Sequence, residues 1–167
     1  EISECLVGSE MCIRDRADTE EQLRAQLKRL LESQKMTEQE AECIRIRDIR
    51  RFVESRLGQR MKKAAMKKHL YREQPFVIQR NASMLDDGWK NETVLVQGII
   101  DAYFMEEEEI VLVDYKTDRV RRGQEQKLID LYHVQLEDYA RALERMTGKR
   151  VKEKIIYSFT LQKEILL

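Results

Sequence analysis

Residues 93–116 read TVLVQGIIDAYFMEEEEIVLVDYK. Two apolar runs rich in Val, Ile, Leu and Tyr, Thr93–Phe104 and Ile110–Lys116, flank the acidic tract Met105–Glu109. This is the pattern of two strands joined by a tight connection. A turn centred on Glu107 and Glu108 places Asp101 directly opposite Asp114, and Lys116, two residues further on, shares their face. Both faces of the pair read as buried, with Ile100, Ala102 and Phe104 on one and Ile99 beside Asp101 on the other. Facing carboxylates repel, and burial deepens the repulsion. A divalent cation offsets it, with a nearby lysine assisting. Asp101→Ala is therefore expected to relieve repulsion and leave folding intact.

Working upstream, Glu73–Arg80 reads as a strand opened by Pro75, the only proline, and Asp86-Asp87-Gly88 as a turn. Before that the pattern is helical. Thr19-Glu20-Glu21-Gln22 has the form of a capping box ahead of Leu23, Leu27, Leu30 and Leu31. Thr37-Glu38-Gln39-Glu40 is a second, opening one helix that carries Ala41, Ile44, Ile49, Phe52, Val53 and Leu57, with Gly58 breaking or bending it. A basic helical stretch then runs to His69. Downstream, a long helix is expected over Gln124–Met146, stopped by Gly148. A strand over Lys154–Leu161 and a short strand or tail, Gln162–Leu167, close the chain. The fold class is α/β, a mixed central sheet flanked by helices.

The first residues read differently. Leu6–Arg16, LVGSEMCIRDR, matches a transposase-library adaptor translated in one frame, so residues 1–16 are read as an artefact. Residues 17–167 then form one domain, with N-terminal helices over 17–70 and an α/β core over 71–167. The natural upstream sequence is expected to be missing, so the chain reads as the tail of something longer. Without residues 1–16, Lys+Arg falls from 31 to 29 and Asp+Glu from 31 to 27, a net +2. Net charge thus says little about partners. Its distribution says more: Arg60, Lys62, Lys63, Lys67, Lys68 and Arg72 form an acid-free run, and Arg119, Arg121 and Arg122 follow Lys116 closely. Each cluster suits either a phosphate backbone or a solvated face.

Only Cys43 lies outside the suspect segment, which contains Cys5 and Cys12. That leaves no thiolate set for a disulfide framework, zinc or an iron–sulfur cluster. No apolar run reaches the roughly 18 residues of a membrane span. A cytoplasmic protein with no membrane association is expected. No G-x-x-x-x-G-K-[ST] phosphate loop is present, so any ATP site would belong to the upstream chain.

Asp101 and Asp114 offer hard oxygen ligands suited to Mg²⁺ or Mn²⁺, and the Tyr115 carbonyl could add a third. Lys116 could orient or deprotonate a water, or hold charge on phosphorus. The same spacing also suits a structural Asp–Lys salt bridge beside a second carboxylate.

Gly98-Ile-Ile-Asp101, Val111-Leu-Val-Asp114-Tyr-Lys116-Thr and Gln135-x-x-x-Tyr139 together resemble the RecB-type branch of the PD-(D/E)XK nucleases. Arg72-Glu73-Gln-Pro-Phe76, Phe52-x-x-Ser55-x-Leu57-Gly58-x-Arg60 and Ile156-Tyr-Ser-Phe159 are similar to the nuclease domain of AddA-type helicase–nucleases. The resemblance covers Thr19–Leu167. It implies a restriction-endonuclease-like fold and a Mg²⁺-dependent deoxyribonuclease acting in DNA break processing and recombinational repair. It also implies an ATP-dependent helicase upstream and an AddB-like partner protein. Asp101 and Asp114 would bind the metal and Lys116 would be catalytic. Glu73 matches an upstream glutamate of the family and would touch the metal or its water; alternatively it is a surface acid. Gln135 and Tyr139, i and i+4 on the long helix, would support the site or hold the DNA backbone; alternatively they are a satisfied core amide and a packing tyrosine. Their face is read as buried together with Leu128, Leu131, Tyr132, Leu143 and Met146. Many RecB-type nucleases also carry a metal-binding histidine on the upstream helices. His69 and His133 do not fall at that place, and Glu54 is a weak substitute. Two other readings stay open: a catalytically silent DNA-binding or scaffold module, and a stand-alone exonuclease of the same fold.

Overall fold

The computed structural model describes residues 20–34, 36–81 and 93–167. The adaptor reading of residues 1–16, the Thr19 cap and the Asp86-Asp87-Gly88 turn lie outside the described residues, as does the side chain of Cys43.

Five strands form one sheet in the order β1-β2-β3-β4-β5: β1 Leu70–Asn81, β2 Thr93–Glu106, β3 Glu109–Lys116, β4 Val151–Ser158 and β5 Lys163–Leu166. All neighbours are antiparallel except β3 and β4, which are parallel and joined through helix α5, Glu125–Thr147. Parallel neighbours need such a crossover, so the sheet is mixed. α5 covers one face through Leu128, Leu136, Ala142 and Leu143. The opposite face is covered by α3, Ile46–Glu54, and α4, Arg56–Met66, through Phe52, Leu57, Met61 and Ala64. Helices α1, Glu20–Glu32, and α2, Glu38–Cys43, add a small satellite cluster with Leu23, Met36, Ile44 and Ile49.

The single helix expected after Thr37 is three helices. It is interrupted at Ile44-Arg45 and again at Ser55, whose Oγ accepts the Gly58 N–H at 3.1 Å and donates to the Phe52 carbonyl at 2.6 Å. The serine is the break; Gly58 lies inside α4 and permits the crossing. A Cβ there would sit 2.1 Å from the Phe52 carbonyl oxygen and 2.8 Å from that of Val53. Both are backbone atoms and cannot step aside. Gly58→Ala is therefore expected to cost about 3 kcal/mol or more, read as a fall in denaturation midpoint.

Two strands start earlier than expected. β1 starts three residues early, because Leu70, Tyr71 and Arg72 pair with Phe104, Tyr103 and Ala102. Pro75 consequently sits inside the strand, which is possible because β1 is the edge of the sheet among the described residues. β4 starts at Val151, and its first half carries Lys152, Glu153 and Lys154. These charges hide the strand from a hydrophobicity reading, but each is ion-paired, Lys152 to Glu106, Glu153 to Arg60 and Lys154 to Glu137. Arg60 is the hub of this layer. Its guanidinium donates to both oxygens of Glu106 at 2.9 and 2.8 Å and to both of Glu153 at 2.8 and 2.9 Å, over the Phe104 ring. It clamps α4 to β2 and β4, so it is not available to a phosphate backbone. Glu106 is held down to about 2 by these bonds.

Candidate active site

The hairpin is closed by Glu107 and Glu108, both with positive φ, the geometry of a two-residue hairpin turn. Ala102 pairs with Val113, Tyr103 with Leu112 and Phe104 with Val111. The register is the one expected, and its continuation sets Asp101 against Asp114. At that point the backbone ladder stops and a side chain takes over: Asp101 Oδ2 accepts the Tyr115 N–H at 2.9 Å. This corrects the expectation for Asp101→Ala, since the aspartate satisfies a backbone donor as well as repelling its neighbour.

The face assignment is also corrected. Ile100 joins the α5-side cluster with Phe76, whereas Ala102 and Phe104 join the opposite one, and Ile99 is exposed. Simple alternation is interrupted at Asp101. Across from it on β1, in the continued register, is Glu73, an exposed residue with φ 47° inside a strand. A positive φ at a glutamate is strained, and here it marks the level of the acid pair. Gly98 has a separate role. A Cβ would come within 2.9 Å of the Phe76 ring, and that ring packs edge-on against Tyr139 of α5 at 5.2 Å.

Asp114 is 2 % exposed. Its Oδ2 makes no hydrogen bond, but the Lys116 ammonium lies 2.8 Å away as an ion pair, off hydrogen-bonding direction. Lys116 Nζ also donates to Gln135 Oε1 at 3.2 Å, and Gln135 Nε2 donates to the Tyr139 hydroxyl at 2.8 Å. Burial pushes the Asp114 carboxyl up to about 6, against the pull of Lys116 and reinforced by Asp101. Asp101 is likewise raised by burial, opposed by the Tyr115 N–H and Lys116, with Glu73 adding to the rise. Burial raises the phenol of Tyr139 to about 12, helped by both aspartates. Two carboxylates held together in a buried setting with a single lysine resist full ionisation, and a further cation would relieve them.

The structure thus brings Asp101, Asp114, Lys116, Gln135 and Tyr139 together, with Glu73 at the rim. The Tyr115 side chain faces the other layer, its hydroxyl 3.5 Å from Met61 Sδ, so only its backbone belongs on this side of the strand. Leu131 and Met146 are exposed, and the buried face of α5 is instead completed by Leu136, Ala140 and Ala142. Glu54 is exposed and paired with Arg50 at 2.8 Å. His69 and His133 are exposed too. Among the described residues no cluster of three or more His, Cys, Asp and Glu is arranged to hold a metal ion. Magnesium does not require one, because it is often held by one or two carboxylates and keeps several waters. The oxygen donors present fit such an ion.

Two site residues escaped the sequence. The Tyr132 ring lies under the Lys116 ammonium, 4.1 Å from centroid to Nζ, and its hydroxyl donates to both oxygens of Asp118 at 3.0 Å. The signal that could have found them is spacing: Tyr132 stands one helical turn before Gln135, and Asp118 two residues after Lys116. Arg119, Arg121 and Arg122 follow on an exposed loop and form no ion pair among the described residues.

A family model for the PD-(D/E)XK nuclease superfamily matches residues 6–165, and the chain belongs to that superfamily. Nucleases of this superfamily depend on divalent metal. Its similarity is to the AddA-type subunits of bacterial ATP-dependent helicase/nucleases. That of Clostridium novyi is 38% identical over 152 residues, covering 88% of this chain and 12% of the relative. That of Thermoanaerobacter sp. strain X514 is 41% identical over 143 residues, covering 83% and 11%. That of Clostridium kluyveri is 40% identical over 151 residues, covering 87% and 12%. The chain is a PD-(D/E)XK nuclease domain homologous to these AddA-type proteins and spans about an eighth of their length. Among the described residues no helix is long and apolar enough to cross a membrane.

Proposed function

We propose that residues 17–167 are the DNA-cutting domain of an AddA-like helicase–nuclease that processes double-strand breaks for recombinational repair in the cytoplasm. The ATP-dependent helicase and the contact with an AddB-like partner belong to the remainder of such a protein. The observation that carries this reading is the buried Asp114 carboxylate, facing Asp101 and 2.8 Å from Lys116. Asp101 also accepts the Tyr115 N–H, but that bond does not require a second acid facing a buried carboxylate.

Asp101, Asp114 and the Tyr115 carbonyl would hold Mg²⁺ or Mn²⁺, which when bound supplies charge neutralisation at the scissile phosphate. Lys116, held by Gln135, aims a positive charge at the phosphoryl oxygen or orients the attacking water. Tyr139 fixes Gln135. Glu73 lies at the rim, where it can touch the ion's water shell. Arg119, Arg121 and Arg122 offer charge to the backbone of the incoming strand. The silent-scaffold reading is favoured by no observation that the nuclease reading leaves unexplained.

Cleavage of linear DNA should require Mg²⁺ or Mn²⁺, and adding either ion should raise the melting temperature of the parent chain. Lys116→Ala should keep that metal-induced rise while losing on the order of 10²-fold in cutting rate. Cutting undiminished in chelator would overturn the mechanism.

A further inference from the structure

The three N–H directions of the Lys116 ammonium are not all met by the motif residues. Asp114 and Gln135 account for two contacts. The Tyr132 ring, 4.1 Å from Nζ, provides a third. We propose that Tyr132, with its ring locked by Asp118, is a positioning residue that fixes the Lys116 ammonium for phosphodiester cleavage. The proposal rests on the nuclease reading given above and adds two residues to it.

An aromatic face attracts a cation through its quadrupole, most strongly when both are shielded from water. Lys116 is 14 % exposed at its side chain, so the contact is shielded. A ring is a useful third neighbour because it accepts no proton and carries no charge. It steadies the ammonium without neutralising it, as a third carboxylate would. Asp118 fixes where the ring sits. Both its oxygens are 3.0 Å from the phenol oxygen, so swinging the ring away from Lys116 would break these contacts. Burial and Asp118 together push the phenol up to about 12, so it stays a donor across the working range. The two residues before Asp118 are tied to the β4–β5 turn. The Phe159 N–H donates to the Lys116 carbonyl at 2.9 Å, and the Thr160 hydroxyl donates to the Thr117 carbonyl at 3.0 Å. The chain of contacts runs from the β4–β5 turn through the Thr117-Asp118 backbone to Tyr132 on α5, and ends on the amine. Lys116 is thereby referenced to α5 twice, one helical turn apart, by Tyr132 and Gln135.

The test has a kinetic and a spectroscopic arm, both on the parent chain and single variants. Tyr132→Leu should lower kcat for DNA cleavage about tenfold, the scale of a shielded cation–ring contact, with KM for DNA within about twofold. Tyr132→Phe keeps the ring without the Asp118 contact and should recover most of that loss; Asp118→Asn keeps both the ring and an acceptor for the phenol and should lose no more than Tyr132→Phe. In the parent, the Lys116 Hε resonances should be shifted upfield by the ring, assigned by their disappearance in Lys116→Met. They should move to ordinary lysine values in Tyr132→Leu and stay shifted in Tyr132→Phe. Lys116 resonances that do not respond to Tyr132→Leu would overturn the contact. Equal kcat losses in Tyr132→Leu and Tyr132→Phe, accompanied by equal losses of melting temperature, would overturn the positioning role in favour of a packing one. A chain that cuts no DNA under any metal would refute the nuclease reading, and the resonances would still decide the contact.

Discussion

Asp114→Asn is expected to abolish metal-dependent cutting, with a fall on the order of 10³-fold, and to remove most of the metal-induced rise in melting temperature. The same variant should behave unusually without metal. Burial raises the Asp114 carboxyl from 3.8 to about 6. A carboxyl raised on folding contributes stability that is fully present below the unfolded value and lost as pH rises through the folded one. The metal-free parent should therefore lose stability between about pH 4 and pH 7 on this account, by at most 2–3 kcal/mol. Asparagine has no proton to lose in this range and should lack this slope. It also leaves Lys116 without its ionic partner, which offsets part of the gain. Melting temperatures in chelator at pH 5 and pH 8 measure the difference. Parallel pH slopes in parent and variant would contradict a carboxyl raised by burial, and parent-level cutting would remove Asp114 from the mechanism.

Asp101→Ala carries the second large effect, on two separate readouts. Cutting should be lost, because one of the two carboxylates proposed to hold the metal is gone. Stability should fall as well, by about 1–3 kcal/mol, because the Tyr115 N–H loses the acceptor that stands in for a ladder partner. Asp101→Asn retains an acceptor oxygen and should regain much of the stability without regaining activity. Denaturant midpoints of the two variants separate the structural task from the chemical one. An alanine variant as stable as the parent would show that the Tyr115 N–H finds another partner.

The hairpin was legible because its information is local. A glutamate-rich turn between two β-branched runs fixes one register, and that register brings Asp101, Asp114 and Lys116 onto one side. Gln135 and Tyr139 were legible only through resemblance, since helical spacing alone does not distinguish a site-facing amide from a core one. What escaped depends on long-range partners. Arg60 looks like part of a basic patch until Glu106 and Glu153 are seen to engage it. The opening of β4 looks like a charged loop until each charge is matched. Asp138, 6 % exposed on α5, is matched by Arg80 of β1 at 2.7 Å, a partner that the sequence does not point to. The break at Ser55 was missed for a different reason. Gly58 is the stronger punctuator in a sequence, yet here the glycine accommodates a crossing and the serine ends a helix. Tyr132 reads as part of the buried face of the helix, and its contact with a cation has no sequence signature of its own.

The Arg60 clamp and the acid site differ in chain distance, and that difference has a kinetic meaning. The Asp101–Tyr115, Tyr132–Asp118, Lys116–Gln135 and Gln135–Tyr139 bonds span 14, 14, 19 and 4 residues. The two arms of Arg60 span 46 and 93. Closing a short loop costs less entropy than closing a long one, and local contacts form sooner. The chemical centre thus condenses from one contiguous stretch of polypeptide, and the back layer fastens onto a centre already assembled. Damage to the clamp should accordingly speed unfolding more than it slows folding, leaving a domain that forms its reactive groups readily and holds them briefly.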